Sequence, residues 1–177
     1  MDELCRAFLA HELAEPPAGW QVDELVATYL AEWSTGIRPI DGLAALMDRL
    51  TGGHRLAIVT NTHHPGLVPD LLDAMGLAGA FDAVVTSIEV GWRKPHPAIY
   101  RAALDALAVE AADAVFVGDT RAPDYDGPRS IGIRALLIDP GREHGIAPKD
   151  RLDTILELPE RLALRFVPID LQPPPVP

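Results

Sequence analysis

The sequence has few of the residues that would link it to an oxidising compartment, a membrane or a nucleic acid. Its single cysteine, Cys5, excludes an intrachain disulfide. No stretch reaches the ~18 apolar residues of a membrane span, and the N-terminus lacks the basic and apolar segments of a signal peptide. Only 15 basic residues accompany 26 acidic ones, and the formal net charge of −11 would repel a nucleic-acid backbone. We expect a soluble, cytoplasmic protein that binds neither nucleic acid nor membrane.

The rest of the composition is that of a folded globular protein. Hydrophobic residues make up 48% of the 177 positions and charged residues 23%, which excludes wholesale disorder. The length predicts one domain, or one domain with a small appendage.

Hydrophobic periodicity divides the chain into three parts. Residues 1–36 predict a helical hairpin, with helices over 2–14 and 22–33 separated by prolines and a glycine. Residues 37–164 alternate short apolar runs with helical patterns, which predicts an α/β fold of three layers, a parallel sheet with helices on both faces. Asp41 is expected to cap the first helix of this part. Residues 165–177 end in prolines and predict an extended tail.

Five strands are expected within the α/β part. The first four are short apolar runs, as in strands buried on both faces, and the fifth is weaker. They are Arg55–Thr60, Ala83–Thr86, Ala114–Val117, Arg134–Ile138 and Thr154–Leu156.

Polar residues follow three of these strands, at the edge where ligands bind in open parallel sheets. Thr60 and Asn61 end the first strand, where a hydroxyl and backbone amides could hold an anion. The alternative, that Thr60 and Thr62 only cap the next helix, is equally consistent with the sequence. Lys94 lies in a loop made rigid by neighbouring prolines, where it could serve as a fixed positive charge, although a lone lysine is usually just solvated.

The third strand ends in Gly118-Asp119, and Asp124 and Asp126 follow. Carboxylates in this arrangement suit a hard cation such as Mg²⁺. The alternative is that Asp124 and Asp126 cap the next helix, which we favour for Asp126 but not for Asp119. Hydroxyl, lysine and metal-binding carboxylates together are the parts that a phosphoryl group needs.

These segments resemble the haloacid dehalogenase (HAD) superfamily, in its phosphatase-like branch with a small helical cap. The resemblance covers about residues 38–160 and implies that Thr60 and Asn61 bind a phosphoryl group and that Lys94 offsets its charge. It also implies that Asp119 binds Mg²⁺ and that Asp124 completes or orients the metal site. The hairpin would be part of a cap. The implied function is Mg²⁺-dependent hydrolysis of a small phosphorylated metabolite, with dehalogenation less favoured because dehalogenases usually have serine and asparagine in place of these aspartates.

The superfamily's first motif, a strand ending in a nucleophilic aspartate and a second aspartate, is not found. We therefore expect a chain that lacks the segment carrying this motif, with a non-catalytic phosphate- and Mg²⁺-binding protein as the alternative. The strand belongs in the middle of the family's sheet, so its absence would leave edges that favour a homo-oligomer. The segment Leu164–Asp170 could fill the place, but Pro168 is unfavourable in a central strand.

Overall fold

The computed structural model describes residues 1–163, which form eight α-helical segments and five strands. The helices are α1 (Asp2–Leu13), α2 (Gly19–Thr35), α3 (Leu43–Thr51), α4 (Leu67–Ala74), α5 (Ser87–Val90), α6 (Pro97–Leu107), α7 (Gly127–Arg129) and α8 (Leu158–Ala163). The strands are β1 (Ala57–Thr60), β2 (Ala83–Thr86), β3 (Val115–Gly118), β4 (Arg134–Ile138) and β5 (Arg151–Leu152). The expectations for the tail 165–177 and for a strand at Leu164–Asp170 lie outside the described residues.

The strand β4 shows why the fold has three layers. Successive side chains of a strand point to opposite faces of a sheet. Leu136 packs into one core with α3, α8 and β5, whereas Ala135 and Leu137 pack with Tyr125 on the other face. All three strand residues are fully buried. The expected α/β class, with helices on both faces of parallel strands, is confirmed.

The strands form two parallel sheets and not the single sheet that the sequence predicts. One sheet pairs β1 with β2, and the other has the order β3-β4-β5. Within residues 1–163, no backbone ladder joins the two sheets. They share an apolar core instead, in which Val59, Val85 and Phe116 pack with Ile99 and Tyr100 of α6.

The hairpin of α1 and α2 has a small core of its own. Cys5, Val22 and Val26 are buried between the two helices. Large apolar side chains lie outside this core and are exposed, among them Leu4, Phe8, Trp20 and Trp33. The hairpin touches the sheet edge through Met1, whose amino group donates a hydrogen bond to the carbonyl of His63 (3.3 Å).

Two local expectations are wrong. Asp41 does not cap α3, because Gly42 takes the cap position at a φ of 83° and the helix begins at Leu43. The predicted strand Thr154–Leu156 is also wrong: the strand is Arg151–Leu152, and Ile155–Glu157 is a 3₁₀ turn capped by the Thr154 hydroxyl. Isolated apolar residues such as Ile155 and Leu156 can fill either structure, since periodicity cannot be read from so short a run.

None of the helices formed by residues 1–163 has the length and apolar character needed to cross a bilayer.

Candidate functional site

The predicted site residues all follow the carboxyl ends of strands. Thr60 ends β1 and Asn61 follows it, Lys94 lies in the loop between β2 and α6, and Asp119 and Asp124 follow β3. Because the strands within each sheet run parallel, Thr60 lies at the carboxyl edge of one sheet and Asp119 at the carboxyl edge of the other.

A partly buried ion pair at the strand ends joins Lys94 to Asp124. The Lys94 Nζ lies 2.7 Å from Asp124 Oδ1, and the two side chains are only 14% and 6% exposed. The Lys94 ammonium also lies 5.4 Å from the ring centre of Phe116 in β3. Lys94 comes from the β1–β2 side of the molecule and Asp124 from the β3–β5 side, so this ion pair bridges the two sheets.

Backbone geometry fixes the position of Asp124. Its second oxygen, Oδ2, accepts a hydrogen bond from the Thr120 amide (3.1 Å). Gly118 allows the close approach, since a Cβ at this position would lie 2.5 Å from the Cβ of Asp124. The residues Arg121–Asp126 form a single π-helical turn, a structure that often occurs at functional sites.

Asn61 clamps the backbone of Lys94. The Asn61 Oδ1 accepts from the Lys94 amide (2.7 Å), and the Asn61 Nδ2 donates to the Lys94 carbonyl (3.1 Å). Both ends of the side-chain amide are thus engaged with one residue, across 33 positions of sequence. The side chain of Asn61 positions Lys94, a role that the sequence does not indicate.

Other contacts hold the loop around Lys94. His96 caps α6, where its Nδ1 accepts from the Ala98 amide (3.2 Å), and Trp92 stacks on its ring at 3.8 Å. The Lys94–Pro95 peptide bond is cis. The lysine is therefore the partly buried centre of an ordered loop and not a solvated surface residue.

The alternative in which Thr60 and Thr62 cap the following helix does not describe this structure. The cap residue of α4 is Gly66, and no side chain caps the helix. Thr62 is buried and exchanges hydrogen bonds with Ser87 of the neighbouring loop (3.1 and 3.2 Å). Thr60 is half-buried, and its hydroxyl makes no hydrogen bond to any other described residue. It can therefore donate to a ligand.

The two aspartates differ in what they offer a metal. Asp119 is exposed, and one of its oxygens accepts from the Thr120 hydroxyl (3.3 Å). Both oxygens of Asp124 already accept hydrogen bonds, from Lys94 and from Thr120. Residues 1–163 contain no cluster of three or more acidic, histidine or cysteine side chains arranged to hold a metal. Mg²⁺ usually binds proteins through one or two carboxylates together with water and phosphate, so Asp119 fits this ion and Asp124 fits an orienting role.

Asp126 does not cap α7 with its side chain, contrary to expectation. Its carboxylate lies 3.4 Å from Arg121 Nε, in an exposed ion pair.

Tyr100 is a further residue of the site that the sequence does not single out. It is fully buried, and its hydroxyl donates to the carbonyl of Pro123 (2.6 Å), which ties α6 to the turn that carries Asp124. Burial, and then the negative charge of Asp124, raise the pKa of Tyr100 above its ordinary value. The hydroxyl therefore stays protonated and keeps donating. Tyr100 lies on an apolar helix face, so the sequence indicates only that it belongs to the core.

Comparison with known proteins matches this arrangement to one family. The profile of the haloacid dehalogenase-like hydrolases aligns with residues 6–132, which include Thr60, Lys94, Asp119 and Asp124. The chain belongs to this family. This match confirms the resemblance to the haloacid dehalogenase superfamily that the three sequence motifs indicate.

Several relatives of this HAD-like chain have names that describe an activity. It is 32% identical to phosphoglycolate phosphatase from Rhodospirillum rubrum, over 78% of this chain and 59% of that protein. It is 39% identical to human haloacid dehalogenase-like hydrolase domain-containing protein 3, over 50% of this chain and 34% of that protein. The chain thus spans about one third to three fifths of the length of these curated relatives.

A solved structure supports the fold of the HAD-like chain. The crystal structure of a HAD phosphatase from Thermococcus onnurineus superposes with a TM-score of 0.65 at 26% identity, covering 88% of this chain and 69% of the other.

Proposed function

We propose that this chain carries the phosphate- and Mg²⁺-binding part of a phosphomonoester hydrolase site, acting on a small phosphorylated metabolite. The observation that carries the proposal is the placement of Lys94, which Asn61 and Asp124 hold at the edge that also bears Thr60 and Asp119. The phosphatases among its relatives support the same class of substrate.

Each residue has a role that follows from its contacts. The Thr60 hydroxyl donates to a phosphoryl oxygen, and the Lys94 ammonium offsets the negative charge that a phosphoryl group brings and develops during transfer. Asp124 keeps that ammonium in place, and Asn61 fixes the backbone below it. In this proposal Asn61 assists phosphate binding through Lys94 and not through its own amide.

Asp119 is the residue proposed to hold Mg²⁺, with Asp124 orienting the site. The ion would polarise a phosphoryl oxygen and so favour attack on phosphorus. No nucleophile is assigned to this chain, because the motif with paired aspartates is not found in the sequence and no strand lies between β1 and β3 in the described residues.

The second candidate is a non-catalytic protein that binds phosphate and Mg²⁺. Within residues 1–163, β1 and β3 each have one side without a strand partner, and this feature together with the missing paired-aspartate motif favours the alternative. Dehalogenation is less favoured, because Asp119 and Asp124 are both carboxylates here and would suit a metal-dependent reaction better.

Calorimetry with inorganic phosphate, with and without Mg²⁺, tests the site. We expect Lys94→Ala to weaken phosphate binding at least about tenfold, since it removes a charge-assisted hydrogen bond. Asp119→Asn should abolish the dependence of this binding on Mg²⁺. Arg101→Gln, an exposed residue of α6, is the matched control for loss of one positive charge. Phosphate binding that is unchanged in Lys94→Ala would refute the assignment.

Turnover separates the two candidates. A panel of phosphomonoesters and 2-haloacids is assayed with Mg²⁺ and with EDTA. Because no nucleophile is assigned within this chain, the assay is run on the chain and on the chain extended by whatever the in-frame upstream DNA encodes. Phosphate release that EDTA and Lys94→Ala both abolish supports the hydrolase. Binding without phosphate release supports the non-catalytic alternative, and halide release that persists in EDTA supports a dehalogenase.

A further inference from the structure

A second cavity, of about 620 Å³, lies away from the candidate site. Its walls come from the amino ends of β4 and β5 and from the end of α7, whereas Thr60, Lys94 and Asp119 follow the carboxyl ends of strands. Cavities of 300–1,000 Å³ are typical of small-molecule sites. No part of the proposed function uses this end of the sheet.

Positive charge dominates the lining of this cavity. Arg129, Arg134 and Lys149 face it together with one carboxylate, that of Asp150. These cations come from three different elements, so the fold and not a local run of basic residues brings them together. This local excess is notable in a chain of net charge −11, because the rest of the surface repels anions.

The single carboxylate of the cavity is already compensated. Asp150 is 8% exposed, accepts a hydrogen bond from the Tyr125 hydroxyl (3.2 Å), and lies 3.7 Å from Arg129. Burial, and then the charge of Asp150, raise the pKa of Tyr125 above its ordinary value, so the hydroxyl stays a donor. An anion entering the cavity would therefore meet a carboxylate whose charge is largely balanced.

The cations are held before any ligand arrives. The Arg129 guanidinium lies over the Tyr125 ring, 4.8 Å from its centre. Arg161 of α8 donates to the carbonyls of Pro148 and Lys149 (2.9 and 3.0 Å) and so fixes the turn that presents Lys149. Preorganised charges bind more tightly because less conformational entropy is lost on binding.

One wall of the cavity is apolar. Ile133 is 5% exposed and Ala112 lies beside it in the lining. Such a wall suits the carbon skeleton of a ligand, while the three cations suit a dianionic group.

We propose that this cavity is a second anion site, which binds a small organic phosphate through Arg129, Arg134 and Lys149. It is independent of the site at Thr60 and Lys94 and goes beyond the proposed hydrolase function. A ligand with a doubly negative head group matches the positive charge of the cavity, and a small apolar body matches its apolar lining.

Phenylphosphonate is the probe, because it carries a dianionic group and an apolar ring and cannot be hydrolysed as a phosphate ester. Calorimetry and amide chemical shifts are recorded at constant ionic strength in the unsubstituted protein, where shifts near Lys149 and shifts near Lys94 report the two sites separately. We expect saturable binding, with shifts at Gly132 and Lys149, that is tighter than binding of inorganic phosphate.

Lys149→Gln, an exposed residue, should weaken this binding at least about tenfold, and Arg129→Gln should do the same. Arg101→Gln, which removes one positive charge elsewhere, should leave the affinity unchanged. The proposal is overturned if the unsubstituted protein shows no saturable shifts at Gly132 and Lys149, if Lys149→Gln has no effect, or if Arg101→Gln weakens binding equally. If Lys94→Ala leaves phosphate binding unchanged in the earlier experiment, the proposed function is refuted but the result at this cavity is unaffected. The two proposals can therefore fail separately.

Discussion

The strands β4 and β1 have similar apolar sequences but are buried to different extents. In β4, Ala135, Leu136 and Leu137 are 0% exposed, whereas all four residues of β1 are only half-buried. The strand β3, whose sequence Val115–Gly118 is equally apolar, is half-buried as well. The difference lies in pairing: among residues 1–163, β4 has a neighbouring strand on each side, whereas β1 and β3 each have one on a single side.

This comparison shows that an apolar sequence makes a strand suited to burial. The strand becomes fully buried when it also has a neighbouring strand on each side. The two sheets of the molecule are held to each other by α6 and by the Lys94–Asp124 ion pair, and not by backbone hydrogen bonds within residues 1–163. Stability should therefore be concentrated in the β3–β5 sheet and in that one bridge.

Breaking the bridge should have the largest effect on stability. Lys94→Met leaves the buried carboxylate of Asp124 without its cation, and we expect a loss of about 3 kcal/mol in the free energy of unfolding. Urea denaturation at pH 7 measures it. The control is Lys149→Met at the chain's other lysine, which is exposed and should change stability by less than about 0.5 kcal/mol. A loss as small as in the control would mean that the ion pair does not join the sheets.

Truncation within the strands should have an intermediate and unequal effect. Leu136→Ala in β4 opens a cavity in a fully buried layer and should cost about 3 kcal/mol. Val59→Ala in half-buried β1 should cost about 1 kcal/mol. Urea denaturation measures both losses in the free energy of unfolding. Each loss is divided by the number of carbon atoms that the substitution removes, because valine is smaller than leucine. Equal losses per methylene group removed would show that β1 is as well packed as β4.

Amide exchange should reveal the same asymmetry with no mutation at all. The β4 amides bond to strands on both sides, so we expect them to exchange slowest. The amides of β1 and β3 that point away from β2 and β4 have no strand partner in the part of the chain that the structure describes, and we expect them to exchange at least about tenfold faster. Hydrogen exchange followed by NMR measures each amide. Uniform protection across β1, β3 and β4 would show that another segment covers the unpaired sides.

Much of the site could be predicted from the sequence because its residues mark strand ends. A polar residue directly after a short apolar run, as at Thr60 or Gly118-Asp119, indicates the edge of a parallel sheet whatever the rest of the chain does. The order of these residues, with Lys94 between them, was sufficient to indicate the family. The roles assigned to Asp119 as a metal ligand and to Thr60 as a phosphate ligand stay predictions.

The wrong predictions concern places where backbone geometry determines the structure or where the segment is too short to show a pattern. Asp41 is a good cap by residue type, but Gly42 can adopt the positive φ that the entry into α3 requires. The fifth strand was misplaced because a two-residue strand such as Arg151–Leu152 has no periodicity to detect.

The sequence by itself determined the parallel α/β class, the sheet edge that carries the polar residues and the family to which they belong. These properties follow from local patterns, namely periodicity and the residue types at strand ends. Only the tertiary structure decided that Asn61 clamps Lys94, that Asp124 pairs with Lys94 across two sheets, and that three cations from different elements line one cavity. Those contacts join residues far apart in the chain, and packing of the whole molecule sets which distant side chains meet.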